Sequence, residues 1–266
     1  MQRSAVRPSP VFLGILAVAI VGGVLTALSD AFVIVDGTVF RTGAADTVFV
    51  IGLFLLVVGG WVTTLSLHEF GHAFVAFRGG DYSVQHKGYL NLDVRKYTDP
   101  VLSIVLPLVF LAIGGIPLPG GAVWINRGAL RSRATSTWVS LAGPLSNLGV
   151  GVVLALVLEL VPGIPVGLVI GLSYLAILQM VTFILNILPV PGLDGYGAIE
   201  PYLSPDARAF GAKARPWAPL ILFAALFALP GASNLLWEGA GNLFTALGGN
   251  TDAAFAGQSL FQFWRH

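Results

Sequence analysis

The sequence predicts an all-α polytopic membrane protein of about six membrane segments, with a small β hairpin or re-entrant region among them. Composition is the first observation: 56% of the 266 residues are hydrophobic and 10% are charged, against about 25% charged in an average soluble domain. The second is a set of long uncharged runs. Thr47 to Leu67 carries no charged residue, which is the length a helix needs to cross a hydrocarbon core of about 30 Å. The third is the 33 glycines and 16 prolines, residues that in membrane helices mark close contacts and broken segments lining a cavity. A net charge of +1 with no long basic run gives no pointer to nucleic acid. The absence of cysteine excludes disulfides and thiolate metal sites, so any zinc must be held by His, Asp or Glu.

Residues 1–46 read as an N-terminal transmembrane anchor and an outer linker. Arg3 and Arg7 precede the apolar stretch Val11 to Leu28 and place the N-terminus in the cytoplasm. Asp30, Asp36 and Asp46 with only Arg41 suit the outer face. The second span then returns inward. The polar stretch after it contains Leu90-Asn91-Leu92-Asp93-Val94-Arg95, whose alternation predicts a half-exposed strand. It is either a surface hairpin or an edge strand that pairs with an extended peptide through residues such as Leu90 and Leu92. Val101 to Leu118 is apolar but breaks into Gly114-Gly115-Ile116-Pro117-Leu118-Pro119-Gly120-Gly121, so it either spans or enters and returns. Thr137 to Val161 and Val166 to Leu188 are further crossings, and Glu159 at the outer end of the former reads as solvated. Residues 206–266 read as C-terminal membrane segments divided at Pro230-Gly231, followed by a polar, mobile tail from Gly248.

The chemistry lies in three places. His68-Glu69-Phe70-Gly71-His72 puts two imidazoles four residues apart at the end of an apolar span, where both can turn a nitrogen toward one cation. This is the H-E-x-x-H arrangement of zinc hydrolases, with Glu69 placed to take a proton from the attacking water. A chance match on a solvated helix end is the plain alternative, and the membrane setting argues against it, because titratable groups at that depth are costly without a shared ligand. Two histidines leave a catalytic zinc one protein ligand short. Asp194, in Asn186-Ile187-Leu188-Pro189-Val190-Pro191-Gly192-Leu193-Asp194-Gly195, is the acid best placed to complete the set, its alternative being a turn residue before Gly195. The third place is Ala142-Gly143-Pro144-Leu145-Ser146-Asn147, whose small residues let a neighbouring helix approach.

With these residues in place, the chain resembles the site-2 protease family of intramembrane zinc metalloproteases. HEFGH at 68–72, AGPLSN at 142–147 and NILPVPGLDG at 186–195 match in order, and the resemblance covers about residues 47–205. It implies a metalloprotease core there built on three helices, with Zn²⁺ as cofactor. By resemblance His68, His72 and Asp194 are the metal ligands, Glu69 the catalytic acid/base and Asn186 the residue that stabilises the reacting carbonyl. Gly143, Pro144 and Asn147 would contact substrate or catalytic elements. The implied partner is the transmembrane segment of a membrane protein, cut near the cytoplasmic face within the lipid bilayer of a prokaryotic cell membrane. No room is expected for a PDZ or CBS module. The competing readings are a membrane zinc transporter and a noncatalytic relative that binds membrane segments.

Overall fold

The computed structural model describes residues 6–43, 47–97, 108–109, 111 and 123–265. Helix α1 (Pro10–Ala27) is apolar around its whole circumference and has Ser9 as N-cap, whose hydroxyl accepts from the Phe12 N–H. Only Phe12, Ala19, Gly22, Gly23 and Thr26 of α1 are buried against protein, so the remaining apolar faces require lipid. A hairpin of β1 (Phe32–Val35) and β2 (Thr38–Arg41) follows, paired antiparallel with Val35 opposite Thr38. Its turn has Asp36 and Gly37 at positive φ, as a two-residue Asp-Gly hairpin turn requires. Among the described residues, the small β element lies in the linker between α1 and the helix that carries the metal-binding motif.

Helix α2 (Thr47–Gly79) is the central span. It packs against α1, α4 (Arg133–Leu160) and α5 (Val166–Ile187). Small residues set the closeness of these contacts. A Cβ on Gly52 would come within 2.7 Å of Leu25 Cβ and 2.9 Å of the Thr26 nitrogen, and one on Gly71 would lie 2.8 Å from the Ala142 carbonyl oxygen. Among the described residues, four helices are long and apolar enough to span (α1, α2, α4 and α5). A fifth span is made if α8 (Ala218–Ala228) and α9 (Ala232–Ala246), bent by 93° at the Pro230-Gly231 break, count as one. The expected count of about six included Val101 to Leu118, nearly all of which lies outside the described residues.

Two local expectations are corrected. Residues 90–95 are not a strand: short 3₁₀ turns at Tyr89–Asn91 and Val94–Lys96 flank Leu92, which has φ 56°. Asp93 enforces this, since its Oδ1 accepts from the Arg95 N–H at 3.1 Å and its carboxylate takes two further bonds from the Arg95 guanidinium at 2.9 and 2.8 Å. Those bonds hold the Asp93 carboxyl below its usual range. Leu90 and Leu92 are buried, Leu90 in a cluster with Trp61, Val84, Tyr89 and Tyr97, so no strand edge is offered to a peptide. The tail after Gly248 is also ordered. It forms α10 (Thr251–Phe261), which buries Ala253, Gly257 and Phe261 at helical spacing and packs on α5 and α2.

Between these lie the short α3 (Ser83–His86), α6 (Asp194–Ile199) and α7 (Pro205–Ala214). The Ser9 N–H donates to the Asn91 carbonyl, which puts the start of α1 and the end of α2 on one face of the molecule. Asn250 Nδ2 donates to the Gly37 carbonyl at 2.8 Å on the opposite face.

Candidate metal centre and active site

Helical spacing on α2 places the Nε2 atoms of His68 and His72 3.0 Å apart. The chain then returns through α5, and the Leu188–Leu193 turn brings Asp194, first residue of α6, back against the same two rings. Asp194 Oδ2 is 3.2 Å from His68 Nε2, and Oδ1 is 3.4 Å from His72 Nε2. A tetrahedral zinc with bonds of 2.0–2.1 Å sets its ligand atoms about 3.3 Å apart. The three side chains therefore have both the chemistry and the spacing for such an ion, and their ligand atoms lie within 4.8 Å of one another.

Helix α4 orients the ligands from behind. His68 Nδ1–H donates to Asn147 Oδ1 at 2.6 Å, and His72 Nδ1–H donates to the Val139 carbonyl at 2.6 Å. With Nδ1 protonated in each ring, both Nε2 lone pairs face the common point. Pro144 has no N–H and leaves the Ser140 carbonyl without its helix donor, one residue beyond the Val139 carbonyl that His72 reaches. Gly143 is needed for space: a Cβ there would fall on the Nε2 atoms of both rings. Gly195 is needed likewise, because a Cβ would collide with the Ile187 and Leu188 carbonyls that the Asp194 turn packs against.

Glu69 is buried beside the ligands, and its Oε2 accepts from the Val123 N–H at 3.2 Å. Asn186 is buried near the end of α5 with its Nδ2 donating to the Thr182 carbonyl of its own helix at 3.1 Å. Both border a cavity of about 590 Å³ together with His68, His72 and Asp194.

Relatives of known name fit this arrangement. Over 265 residues the chain is 41% identical to "Putative zinc metalloprotease Rip2" of Mycobacterium tuberculosis H37Rv, covering 99% of this chain and 96% of the relative. It is 41% identical to the protein of the same name in Mycolicibacterium smegmatis, across 98% and 96%. It is 33% identical to "Putative zinc metalloprotease YwhC" of Bacillus subtilis over 185 residues, 66% of this chain and 81% of that one. The chain belongs to the site-2 protease family of zinc metalloproteases. No family model and no solved structure matches it.

For this metalloprotease the cofactor is Zn²⁺, and His68, His72 and Asp194 sit close enough to hold it. The structure brings Glu69 and Asn186 to the same cavity. Gly143, Pro144 and Asn147 are not among the residues lining that cavity: Gly143 abuts the Nε2 atoms of both imidazoles and Asn147 stands behind His68, and Leu90 and Leu92 are also away from it. Two contributors were missed in the sequence. Gln179 is fully buried in α5, and its Oε1 accepts from Asn147 Nδ2 at 2.8 Å, extending the chain of bonds behind His68. The signal was present: Gln179, Thr182 and Asn186 fall at i, i+3 and i+7 of a largely apolar, uncharged span. The second is Val123-Trp124-Ile125, which has no regular structure and forms a cavity wall over Glu69. It is anchored by the Asn126 N–H, which donates to Asp81 Oδ2 at 2.7 Å.

Proposed function

We propose that this metalloprotease hydrolyses peptide bonds in or near transmembrane segments of other membrane proteins. One observation carries the reading: the three prospective zinc ligands and Glu69 converge on a helix long and apolar enough to span a membrane, at a cavity that Asn186 also lines. Bound zinc would supply a Lewis acid that polarises the scissile carbonyl and acidifies the attacking water. Glu69 takes the water proton and passes it to the leaving amine, while the Asn186 amide donates to the oxygen on which charge develops. The Val123 N–H keeps the Glu69 carboxylate aimed from the far side. A helix hides its carbonyls, so the substrate segment must unwind before it reaches these groups.

The site faces the cytoplasm in this reading. Among the described residues, the lysines and arginines from Arg7 to Arg215 cluster on the side of the metal centre, with Arg41 alone in the outer hairpin, the asymmetry of the positive-inside rule.

The test is Glu69→Gln in proteoliposomes with a single-span substrate. Zinc content is expected to stay at the native level while cleavage falls about 10²–10⁴-fold, the scale of a lost general base. Cleavage at the native rate would remove Glu69 from the mechanism. Zinc flux across the same vesicles, without cleavage, would replace the protease reading with a transporter.

A further inference from the structure

Beside the catalytic cavity lies a second one, of about 480 Å³, walled largely by arginine. Arg127, Arg133, Arg208 and Arg215 line it together with the hydroxyls of Ser132 and Ser136, and Glu200 is its one carboxylate. Four guanidinium groups against one carboxylate leave a formal excess of three positive charges. Glu200 is already engaged: Arg215 Nη2 donates to both its oxygens at 3.0 and 3.1 Å, and Arg127 Nη1 is 3.7 Å from Oε2. Arg127 is fixed further by bonds to Ser136 Oγ, Ser140 Oγ and the Gly197 carbonyl. Arg208 Nε donates to the Leu203 carbonyl. Among the described residues, no carboxylate oxygen lies within 4.0 Å of Arg133 or Arg208.

The 28-residue helix α4 starts at this cavity with no acid in its first turn, so the positive end of its dipole adds to the same field. A concave, cationic site built from planar forks suits a tetrahedral oxyanion, which guanidinium groups bind in pairs of parallel bonds. Its position narrows the source. Arg133 begins a membrane-spanning helix, and Trp138, Tyr202, Phe210 and Trp217, all exposed, are carried by the elements around the cavity. Exposed aromatics with arginines at one end of a span mark the headgroup layer.

We propose that the Arg127/Arg133/Arg208/Arg215 cavity binds the phosphate of an anionic phospholipid headgroup. Arg127 and Arg215 line the catalytic cavity as well, so the bound phosphate shares a wall with the active site. Lipid at this place holds α4, α6 and α7 to the membrane surface. The proposal does not depend on proteolysis, and its readout is binding alone.

The experiment uses the full-length zinc-loaded protein in detergent and counts retained lipid by native mass spectrometry, titrating phosphatidylglycerol, phosphatidylcholine or inorganic phosphate. Arg133 and Arg208 are outside the catalytic cavity, so the test variant is Arg133→Gln/Arg208→Gln, with Arg7→Gln/Arg41→Gln, neither of them a lining residue of either cavity, as a control for equal loss of charge elsewhere. Phosphatidylglycerol is expected to bind the native protein and the control alike, and the test variant about tenfold or more weakly, with zinc content unchanged in all three. Equal weakening in the control, or equal retention of phosphatidylcholine, would overturn the site. Inorganic phosphate displacing the lipid only at far higher concentration supports a headgroup. Displacement at concentrations matching the lipid would assign the site to a free phosphate compound. An acidic peptide that binds where neither phosphate source does would overturn the proposal.

Discussion

At Gly143 a single missing methyl group decides whether the metal centre exists. The site of its Cβ coincides with the nitrogens that the two imidazoles turn toward their common ligand, so Gly143→Ala is expected to abolish stoichiometric zinc binding while far-ultraviolet dichroism stays that of a folded helical protein. Zinc retained at the native ratio in that variant would refute the steric account. Behind the rings, Asn147 and Gln179 hold His68 through bonds of 2.6 and 2.8 Å. Loss of such outer partners typically costs 10–100-fold in metal affinity. Gln179→Leu is thus expected to weaken zinc binding about tenfold and Asn147→Leu by up to about a hundredfold, measured by competition with a chelator of known affinity. The motif residues His68, Glu69, His72 and Asp194 were legible because few arrangements explain so much polarity in apolar runs. Gln179 shares a helical face with Thr182 and Asn186, but that polar stripe names neither its partner nor its purpose until α4 is packed against α5.

At the scale of elements, the crossing of α1 and α2 rests on backbone proximity. A side chain at Gly52 must displace both Leu25 and the Thr26 backbone, and neither is the free end of a flexible side chain. Gly52→Leu is expected to destabilise the protein by roughly 1–3 kcal/mol or more, the cost of overpacking a filled interface, seen as a lower thermal midpoint. An unchanged midpoint would show that the helices can separate without penalty. The spans themselves were readable from the uncharged runs. The segment 90–95 was not, since its alternation of apolar and polar residues fits a strand and a pair of capped turns equally well. Burial of Leu90 and Val94 beside Tyr97, and the Asp93 cap, chose the turns. The C-terminal helix α10 was hidden for a related reason: alanine and glycine carry little apolar signal, yet at 253, 254 and 257 they let the helix lie close on α5.

Across the whole molecule the two faces differ in kind. One face is closed by the hairpin and by Asn250 bonded to the Gly37 carbonyl, and the opposite face gathers the metal centre, the arginine cavity and the polar helices α6 and α7. This division was visible in the distribution of lysine and arginine along the chain. What linear order could not show is that α6 and α4 meet, as when Thr137 Oγ1 donates to the Ala198 carbonyl at 2.8 Å.

Because the imidazoles belong to α2 and the carboxylate arrives only after α5, a cation shared among them acts as a reversible staple between distant stretches of chain. Any ligand bound solely by the folded form adds to its stability, by about 4 kcal/mol when present at a thousand times its dissociation constant. Dialysis against EDTA is therefore expected to lower the melting temperature of the native protein and to leave that of Asp194→Ala nearly untouched. Equal sensitivity of both would place the stabilising ion elsewhere. The same ion that arms the enzyme would then also serve as its quality check, with unmetallated chains the first to open and be cleared.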